Sequence, residues 1–270
     1  MSKRKILTTF AGGLAMIFFA GCNVNNVAVF DYTAAPEPMV QLSPHKVSVA
    51  MMPFEDHRAA MQSDANAGSL WWGFLPLAPF GRVITSTPES SESFVSLSHF
   101  DFNPPEDLGN AAFVSLKYAN IFSELSRSFT PENTNADYLL YAGINSTNYA
   151  GYRLSYFVTY FLAPVPWVGF LPFGVSGNYL GLEFTLMERQ SGMVVWKYYY
   201  NGDQYLTQWL YNGLGDDVSM YPSLMKRAMN GAILDLNQKL PQILSNAAVA
   251  TKPSVVSEKA VEVAPDVPGE

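Results

Sequence analysis

Cysteine is almost absent from this chain of 270 residues, which contains a single one, Cys22. One cysteine cannot form an intrachain disulfide, so a disulfide-stapled fold is excluded. Charged residues are also scarce, at 14% of the chain, and 23 acidic residues outnumber 16 basic ones. An acidic chain without a basic stripe is a poor binder of nucleic acid. We therefore expect no nucleic-acid partner.

The sequence also lacks the short motifs of common enzyme chemistries. It has no Gly-x-Ser-x-Gly elbow, no His-Glu-x-x-His pair, no P-loop and no cysteine pair for zinc. The run GLGDDV at 213–218 lacks the third glycine of a dinucleotide fingerprint, and we interpret it as a loop that starts a helix. The cluster Glu55-Asp56-His57 has residue types that bind metals or transfer protons. A solvated loop after a strand is the simpler interpretation, and we expect no enzyme and no metal.

The N-terminus has the composition of a secretory signal peptide. Three basic residues at 3–5 are followed by an apolar run, 6–20, and by small residues ahead of Cys22. A run of this length with these flanks is typical of a cleaved signal rather than of a membrane-spanning helix. We therefore predict that residues 1–21 are a signal peptide.

The end of that segment, Phe19-Ala20-Gly21-Cys22, resembles the lipobox of bacterial lipoproteins. The resemblance implies cleavage before Cys22 and acylation of that residue, so a covalent lipid is the only cofactor expected. Asn23 implies sorting to the outer membrane, on its periplasmic face, rather than retention in the inner membrane. Acyl chains anchor a protein without a spanning helix, since each buried CH₂ contributes about 0.8 kcal/mol.

The remaining chain divides into a tether, one domain and a tail. Removing residues 1–21 takes away three of the 16 basic residues and none of the 23 acidic ones, which leaves a formal charge of −10. Residues 22–44, punctuated by asparagine and proline, are predicted as a lipidated tether. Residues 249–270 mix proline with charge and are predicted to be disordered. Residues 45–248 are enough for a single domain with one core.

The strands of that domain are recognised by their apolar or alternating runs. These runs predict strands at 46–54, 121–129 and 137–147, and a hairpin over 182–200. The hairpin is expected to turn at the tract Arg189-Gln190-Ser191-Gly192.

Two helices are predicted among the strands. Asn103, followed by two prolines and Glu106, is typical of a helix N-terminus, so a helix should run from there to about Tyr118. Alanine or leucine every fourth residue predicts a last helix that begins near Ser219, and Pro241 should kink or end it. The expected fold is therefore α/β, in an α+β-like two-layer form. It has a mixed sheet of about five strands, two main helices on one face and two long apolar insertions.

Three stretches of the domain resemble a group of bacterial envelope lipoproteins. They are KVSVAMMPFEDHR at 46–58, ADYLLYAGI at 136–144 and LEFTLMERQSGMVVWKY at 182–198. The fold that this resemblance implies is that of the N-terminal domain of TolB and of the periplasmic part of the curli-secretion channel lipoprotein. It implies envelope work through protein contacts, sometimes in oligomeric pores, and it supplies no catalytic residues.

A hexapeptide pattern, Trp-x-Gly-Phe-Leu-Pro, occurs twice, at 71–76 and 167–172. The second copy lies in 154–182, a run of 29 residues without a charge. That run is long enough to cross a membrane as a helix, but its prolines and glycines argue against one. We call the two copies the hexapeptides. The residues expected to contact a membrane or a partner are Trp71, Trp72, Phe74 and Leu75 in the first copy and Trp167, Phe170, Leu171 and Phe173 in and after the second.

Three interpretations of the hexapeptides stay open. They can form a satellite core under two loops, or a docking surface for an envelope protein or a second copy of the chain. They can also enter the bilayer to which the lipid is attached, where backbone groups must be paired, as in a closed barrel of hairpins. The second and third interpretations each predict a function. A docking surface predicts a non-enzymatic envelope scaffold or accessory subunit, and bilayer entry predicts a self-assembling, membrane-inserting or pore-forming lipoprotein that uses the hairpin 154–182. If the first and third strands are parallel, both hexapeptides should leave the sheet at one end.

Overall fold

Two long antiparallel strands of 17 and 16 residues pair with each other along most of their length. The structure, a computed structural model, describes residues 28–33, 43–59, 63–66, 78–90, 100–155, 172–209 and 217–250. In these ranges the strands are β1 (Ala28–Val29), β2 (His45–Asp56), β3 (Ser63–Asn66), β4 (Ala78–Thr85), β5 (Phe100–Asp101), β6 (Phe122–Arg127), β7 (Tyr138–Ser146), β8 (Tyr149–Ser155), β9 (Pro172–Glu188) and β10 (Val194–Trp209). The helices are α1 (Pro104–Ala119) and α2 (Tyr221–Ala250), with single 3₁₀ turns at Pro88–Ser90 and Pro131–Asn133.

The central sheet has two halves that share β9 and β10. β7 and β8 follow each other along one side of β9, from the pair Tyr138–Glu188 to the pair Arg153–Gly174, and β10 covers the other side. In the first half, which we call the core half, the strand order is β6–β2–β7–β9–β10. In the other half, the distal half, it is β3–β4–β8–β9–β10. Thr147 and Asn148, between β7 and β8, form the junction.

The hydrophobic core lies between the core half of the sheet and both helices. Alternate residues of a strand point to opposite faces, and alternate side chains of β7 and β9 are buried under the helices. The core includes Val49 and Met51 of β2, Leu140 and Ile144 of β7, Phe184 and Leu186 of β9, Leu108 and Leu116 of α1, and Leu224, Leu236 and Leu240 of α2. The predicted mixed sheet with two helices on one face is confirmed.

The predicted count of about five strands is wrong, because the central sheet has eight strands in the described ranges alone. The distal strands were hidden because their glycines and prolines interrupt the alternating pattern, and the run 154–182 has no charge to mark the solvent face. Gly177 of β9 shows why a glycine is needed there: a Cβ on it would lie 2.8 Å from Cε1 of Tyr205. The glycine leaves room for an aromatic ring on the neighbouring strand, so β9 and β10 reach Pro172 and Trp209.

Both helices differ from expectation at one point. Asn103 makes no side-chain cap hydrogen bond. Instead the Asp107 carboxylate accepts from the Asn103 backbone N–H at 2.7 Å. Pro241 does not end α2, which continues to Ala250. Leu240 is buried just before the proline, and Ile243 and Leu244 pack on the core just after it, so tertiary packing continues across the proline.

Residues 28–33, which we call the strap, pack against the core although they fall in the predicted tether 22–44. β1 pairs with β5 in parallel, with Ala28 opposite Phe100. Phe30 is buried, and its ring stacks on that of Phe102 with centroids 5.2 Å apart. The Tyr32 hydroxyl lies 2.6 Å from the Ser115 hydroxyl of α1. The part of the domain that the structure describes therefore begins six residues after Cys22.

Candidate functional site at the distal end of the sheet

The strands that flank the two hexapeptides end at one edge of the distal half. Ala78, the first residue of β4, pairs with Ser155, the last residue of β8. On the next two strands Pro172 pairs with Trp209. We call these four strand ends the distal edge. β2 and β7, the first and third predicted strands, are parallel. This is the arrangement for which we expected both hexapeptides to leave the sheet at one end.

The predicted contact residues are only partly described by the structure. Trp71, Trp72, Phe74 and Leu75 fall in 67–77, and Trp167, Phe170 and Leu171 fall in 156–171; both ranges lie outside the described residues, as does the lipidation site Cys22. Phe173 belongs to β9, but its side chain is not described. The strands bring the attachment points of both ranges together, and the roles of these side chains stay predictions.

Aromatic side chains line the face of the distal half that points away from the helices. Tyr179 and Tyr205 are joined by a hydrogen bond of 2.6 Å between their hydroxyls, with the rings edge to face. This hydrogen bond raises the pKa of Tyr179 to about 12. The Arg82 guanidinium lies 5.9 Å from the centre of the Tyr152 ring, within range of a cation–π interaction. Tyrosine rings are apolar but carry a polar hydroxyl, and here they lie beside the cation of Arg82. Such side chains suit the rim of a surface that binds an apolar partner.

Arg58 ties the junction to the end of β2. Its side chain is only 7% exposed and donates to both oxygens of Asp56, at 2.9 and 2.7 Å. Nη1 donates at 2.7 Å to Glu89 and also to the Thr147 hydroxyl. The hydrogen bond from Arg58 holds the pKa of Asp56 below its ordinary value. Arg58 therefore joins the exit of β2, the turn at Pro88–Ser90 and the junction.

Tyr221 holds the same junction from the helix side. Its hydroxyl donates to the backbone carbonyl oxygens of Thr147, at 2.9 Å, and Asn148, at 3.2 Å. Tyr221 is fully buried, and this burial raises its pKa well above the ordinary value. The first residue of α2 thus fixes the point where β7 passes into β8.

The helix-side interior of the distal half is polar near the junction. Asp217 is 4% exposed and accepts hydrogen bonds from the Tyr149 hydroxyl, at 3.2 Å, and from Gln208 Nε2. Asn178 donates to the Asp217 carbonyl oxygen at 2.9 Å. The sequence placed Asp217 in a helix-start loop, but its carboxylate is a buried acceptor for β8 and β10. The hydroxyl oxygen of Ser176 is buried without a hydrogen-bond partner among the described residues.

The cluster Glu55-Asp56-His57 does not form one site. His57 Nε2 lies 2.9 Å from Glu55 Oε2, and these side chains are 49% and 61% exposed. Asp56 instead binds Arg58, a residue that the sequence analysis did not single out. Within the described ranges, no three His, Cys, Asp or Glu side chains are grouped so that they could hold a metal ion. Both side chains are well exposed, as expected for an exit loop.

A separate apolar cavity of about 380 Å³ lies between the end of β2 and the start of α1. Met52, Phe54 and Gly109 line it, and Arg127 and Phe129 stand at its rim. Phe129 is 87% exposed. Nothing in the sequence pattern marked this cavity, because its lining comes from elements far apart in the chain.

In the part of the chain that the structure describes, no helix is both long and apolar enough to cross a bilayer.

The chain is similar to solved structures of low sequence identity. No family model and no curated protein matches it. A Xanthomonas campestris protein of the family DUF330 is 9% identical, with a TM-score of 0.41, over 84% of this chain and 99% of that one. The PelC dodecamer of Paraburkholderia phytofirmans is 15% identical, with a TM-score of 0.33, over 70% and 89%. Lipoprotein GNA1162 of Neisseria meningitidis is 12% identical, with a TM-score of 0.22, over 68% and 99%.

Proposed function

We propose that this chain is a lipid-anchored protein of the bacterial envelope and that it acts as a non-enzymatic scaffold through contacts made at the distal edge. The lipobox-like end at Cys22 supports the anchor, and the sorting signal at Asn23 supports the outer membrane. The domain of TolB N-terminal type, implied by the motifs in β2, β7 and β9–β10, belongs to the same proposal. The observation that carries the proposal is the pairing of Ala78 with Ser155.

That pairing gives the repeated hexapeptide a physical reason. Two segments that are 96 positions apart in the sequence, from residue 71 to residue 167, start or end on adjacent strand ends. Exposed apolar groups gathered at one place usually mark an interaction site, because scattered ones bury little area against a partner. A shared apolar surface then explains why both insertions carry the same residues.

The polar contacts at the junction suit this function because they fix the distal half relative to the core. Arg58 and Tyr221 both bind Thr147, Arg58 through its hydroxyl and Tyr221 through its backbone carbonyl. A contact surface placed on a rigid sheet loses less conformational entropy on binding than one on a flexible arm.

The test of the scaffold is co-purification of the lipidated chain from detergent extracts. We expect a partner at fixed stoichiometry with the natural chain and its loss from a chain that carries both Trp72→Ser and Trp167→Ser. The matched control is Phe129→Ser, which removes an exposed aromatic ring far from the distal edge. Equal recovery of the partner by the double variant and the control would contradict the proposal.

A second candidate is entry of the hexapeptides into the bilayer, with self-assembly. The observation that favours it is the edge strand β10, which pairs with β9 alone among the described strands. Open strand edges are templates for pairing with a further strand. Flotation of residues 23–270 with liposomes tests this candidate, because that chain has no lipid. Flotation that depends on Trp72 and Trp167 would place bilayer entry first, and a soluble chain would refute it.

A further inference from the structure

We propose that the apolar cavity between β2 and α1 is a binding site for a free fatty acid, with the alkyl chain inside the cavity and the carboxylate on Arg127. The cavity has a volume of about 380 Å³. Small-molecule sites typically have volumes of about 300–1,000 Å³. The described residues that line the cavity belong to the core half, so this inference goes beyond the function proposed above and does not depend on it.

Apolar side chains form most of the wall of this cavity. β2 contributes Met52 and Phe54, and α1 contributes Pro105 and Gly109. Methionine suits such a wall because its unbranched thioether side chain adapts to a flexible ligand. Gly109 enlarges the space, because a Cβ at this position would meet only the Phe54 ring, at 3.5 Å. An alkyl chain matches this wall because it brings no polar group that would be left unpaired.

The edge of β2 inside the cavity does not suit an added peptide strand. β6 pairs with β2 only as far as Met51, so the next three residues of β2 pass the cavity without β6 beside them. Pro53 lies in this stretch and has no N–H to donate to a further strand. A peptide backbone would therefore leave polar groups unpaired against an apolar wall, at a cost in free energy that an alkyl chain does not have. The wall thus favours an alkyl chain over a protein segment.

Arg127 provides a site for one anionic group. It is the only basic residue among the described residues that line the cavity. Its guanidinium carbon lies 4.2 Å from the centre of the Phe113 ring, and Nη1 donates to Asn110 Oδ1 at 2.7 Å. Within the described ranges, Nε and Nη2 make no hydrogen bond and no carboxylate pairs with the guanidinium. Two parallel N–H donors of a guanidinium match the two oxygens of a carboxylate.

Glu106 also lines the cavity and would repel an anion placed beside it. Its carboxylate accepts a hydrogen bond from Asn103 Nδ2 at 3.1 Å, at the start of α1. Asn110, which binds Arg127, lies four residues further along the helix, a rise of about 6 Å. The carboxylate of the ligand is therefore assigned to the Arg127 end. One cavity with one cation takes one chain with one anionic head, which is the composition of a free fatty acid.

The test is titration of residues 23–270, which retain every described residue, with decanoate, laurate and myristate below their micelle-forming concentrations. We expect one fatty acid per protein chain. The affinity should rise about fourfold for each added methylene, the equivalent of about 0.8 kcal/mol, until the cavity is full. Carbon NMR of labelled methionine methyl groups locates the ligand. The signals of Met51 and Met52, which line the cavity, should shift, and that of the exposed Met193 should not.

Two pairs of variants separate the site of the carboxylate from the site of the chain. Arg127→Gln should weaken laurate binding about tenfold or more, because the carboxylate loses its charged partner. Lys117→Gln removes the same charge from an exposed position on α1 and should leave the affinity unchanged. Gly109→Leu places a side chain in the cavity and should abolish saturable binding. Gly109→Ala, whose methyl group fits against the Phe54 ring, should bind as the natural chain does.

Three results would overturn the proposal. They are absence of saturable binding to the natural chain, undiminished binding by a folded Gly109→Leu, and equal laurate affinity in Arg127→Gln and Lys117→Gln. Urea unfolding checks that each variant is folded. If Gly109→Leu does not fold, the methionine signals and Arg127→Gln still test the site, because Arg127 is exposed and its replacement leaves the core unchanged. These results are independent of the tryptophan changes that test the distal edge.

Discussion

Removing Arg58 should loosen the distal half more than its position in an exit loop suggests. In Arg58→Met the Glu89 carboxylate, whose side chain is 17% exposed, loses its ion pair, and its second oxygen is already buried without a partner in the described ranges. Breaking a buried pair from one side costs about 3–5 kcal/mol. Asp56 is 38% exposed, so water can solvate its carboxylate once Arg58 is removed. We therefore expect a loss of about 3 kcal/mol in the free energy of unfolding.

The assay is urea unfolding of residues 23–270, with hydrogen exchange read strand by strand. Adding Glu89→Gln to Arg58→Met removes the unpaired charge, so the double variant should recover about 1–2 kcal/mol relative to the sum of the single changes. Exchange in β8 should accelerate before exchange in β2 and β7, because Arg58 binds the junction. The matched control is Lys239→Met, which breaks an exposed pair with Asp235 and should cost about 0.5 kcal/mol or less.

Two results would refute this reasoning. A loss of unfolding free energy no larger than that of Lys239→Met would show that the contacts of Arg58 do not stabilise the junction. Uniform acceleration of exchange in both halves would show that the halves unfold as one unit, and the distal half would then not depend on the junction.

Three further predictions follow from the polar groups of the site. Arg58 lowers the pKa of Asp56, so the stability that the Asp56 carboxylate contributes is present above its ordinary pKa of 3.8 and is lost as the pH falls through its folded pKa. Urea midpoints measured from pH 7 down to pH 3 should therefore fall less steeply in Arg58→Met than in the natural chain. Tyr221→Phe removes the donor to two junction carbonyls and should cost about 1–2 kcal/mol. Because burial raises the pKa of Tyr221, its contribution is present below pH 10 and is lost above it, and an unchanged alkaline unfolding midpoint in Tyr221→Phe would contradict this. Tyr205→Phe should return the pKa of Tyr179 from about 12 toward 10.0, as followed by carbon NMR of labelled tyrosine, whereas Tyr199→Phe should not.

Sequence patterns predicted the core half well because burial there follows simple periods. The runs at 46–54 and 137–147 are apolar where β2 and β7 are covered by helices, and Leu224 to Leu240 repeat every fourth residue along α2. The helix N-terminus at Pro104 was also predicted correctly, since proline in the first turn of a helix is a local sequence signal. In these elements the same residues satisfy both the local preference and the tertiary packing.

The distal half was predicted only as apolar insertions and not as part of the sheet, because its sequence follows packing rather than a period. β3 has only four residues, and β9 carries Gly174, Gly177 and Gly181, which weaken any strand signal. The strap escaped notice because Ala28 and Val29 pair with the two-residue strand β5, about seventy positions away. Arg58 was overlooked for a similar reason: its partners Glu89 and Thr147 meet it only through the fold.

The most direct test of the distal edge as the contact surface is photocrosslinking in living cells. A photoreactive residue at Thr207 lies two positions from the edge, and one at Met193 directly precedes Val194, the first residue of the same strand at its opposite end. We expect adducts at 207, to a protein or to lipid, that disappear when Trp72→Ser and Trp167→Ser are added, and none at 193. Adducts of equal yield at both positions, or adducts at 207 that survive both tryptophan changes, would contradict it.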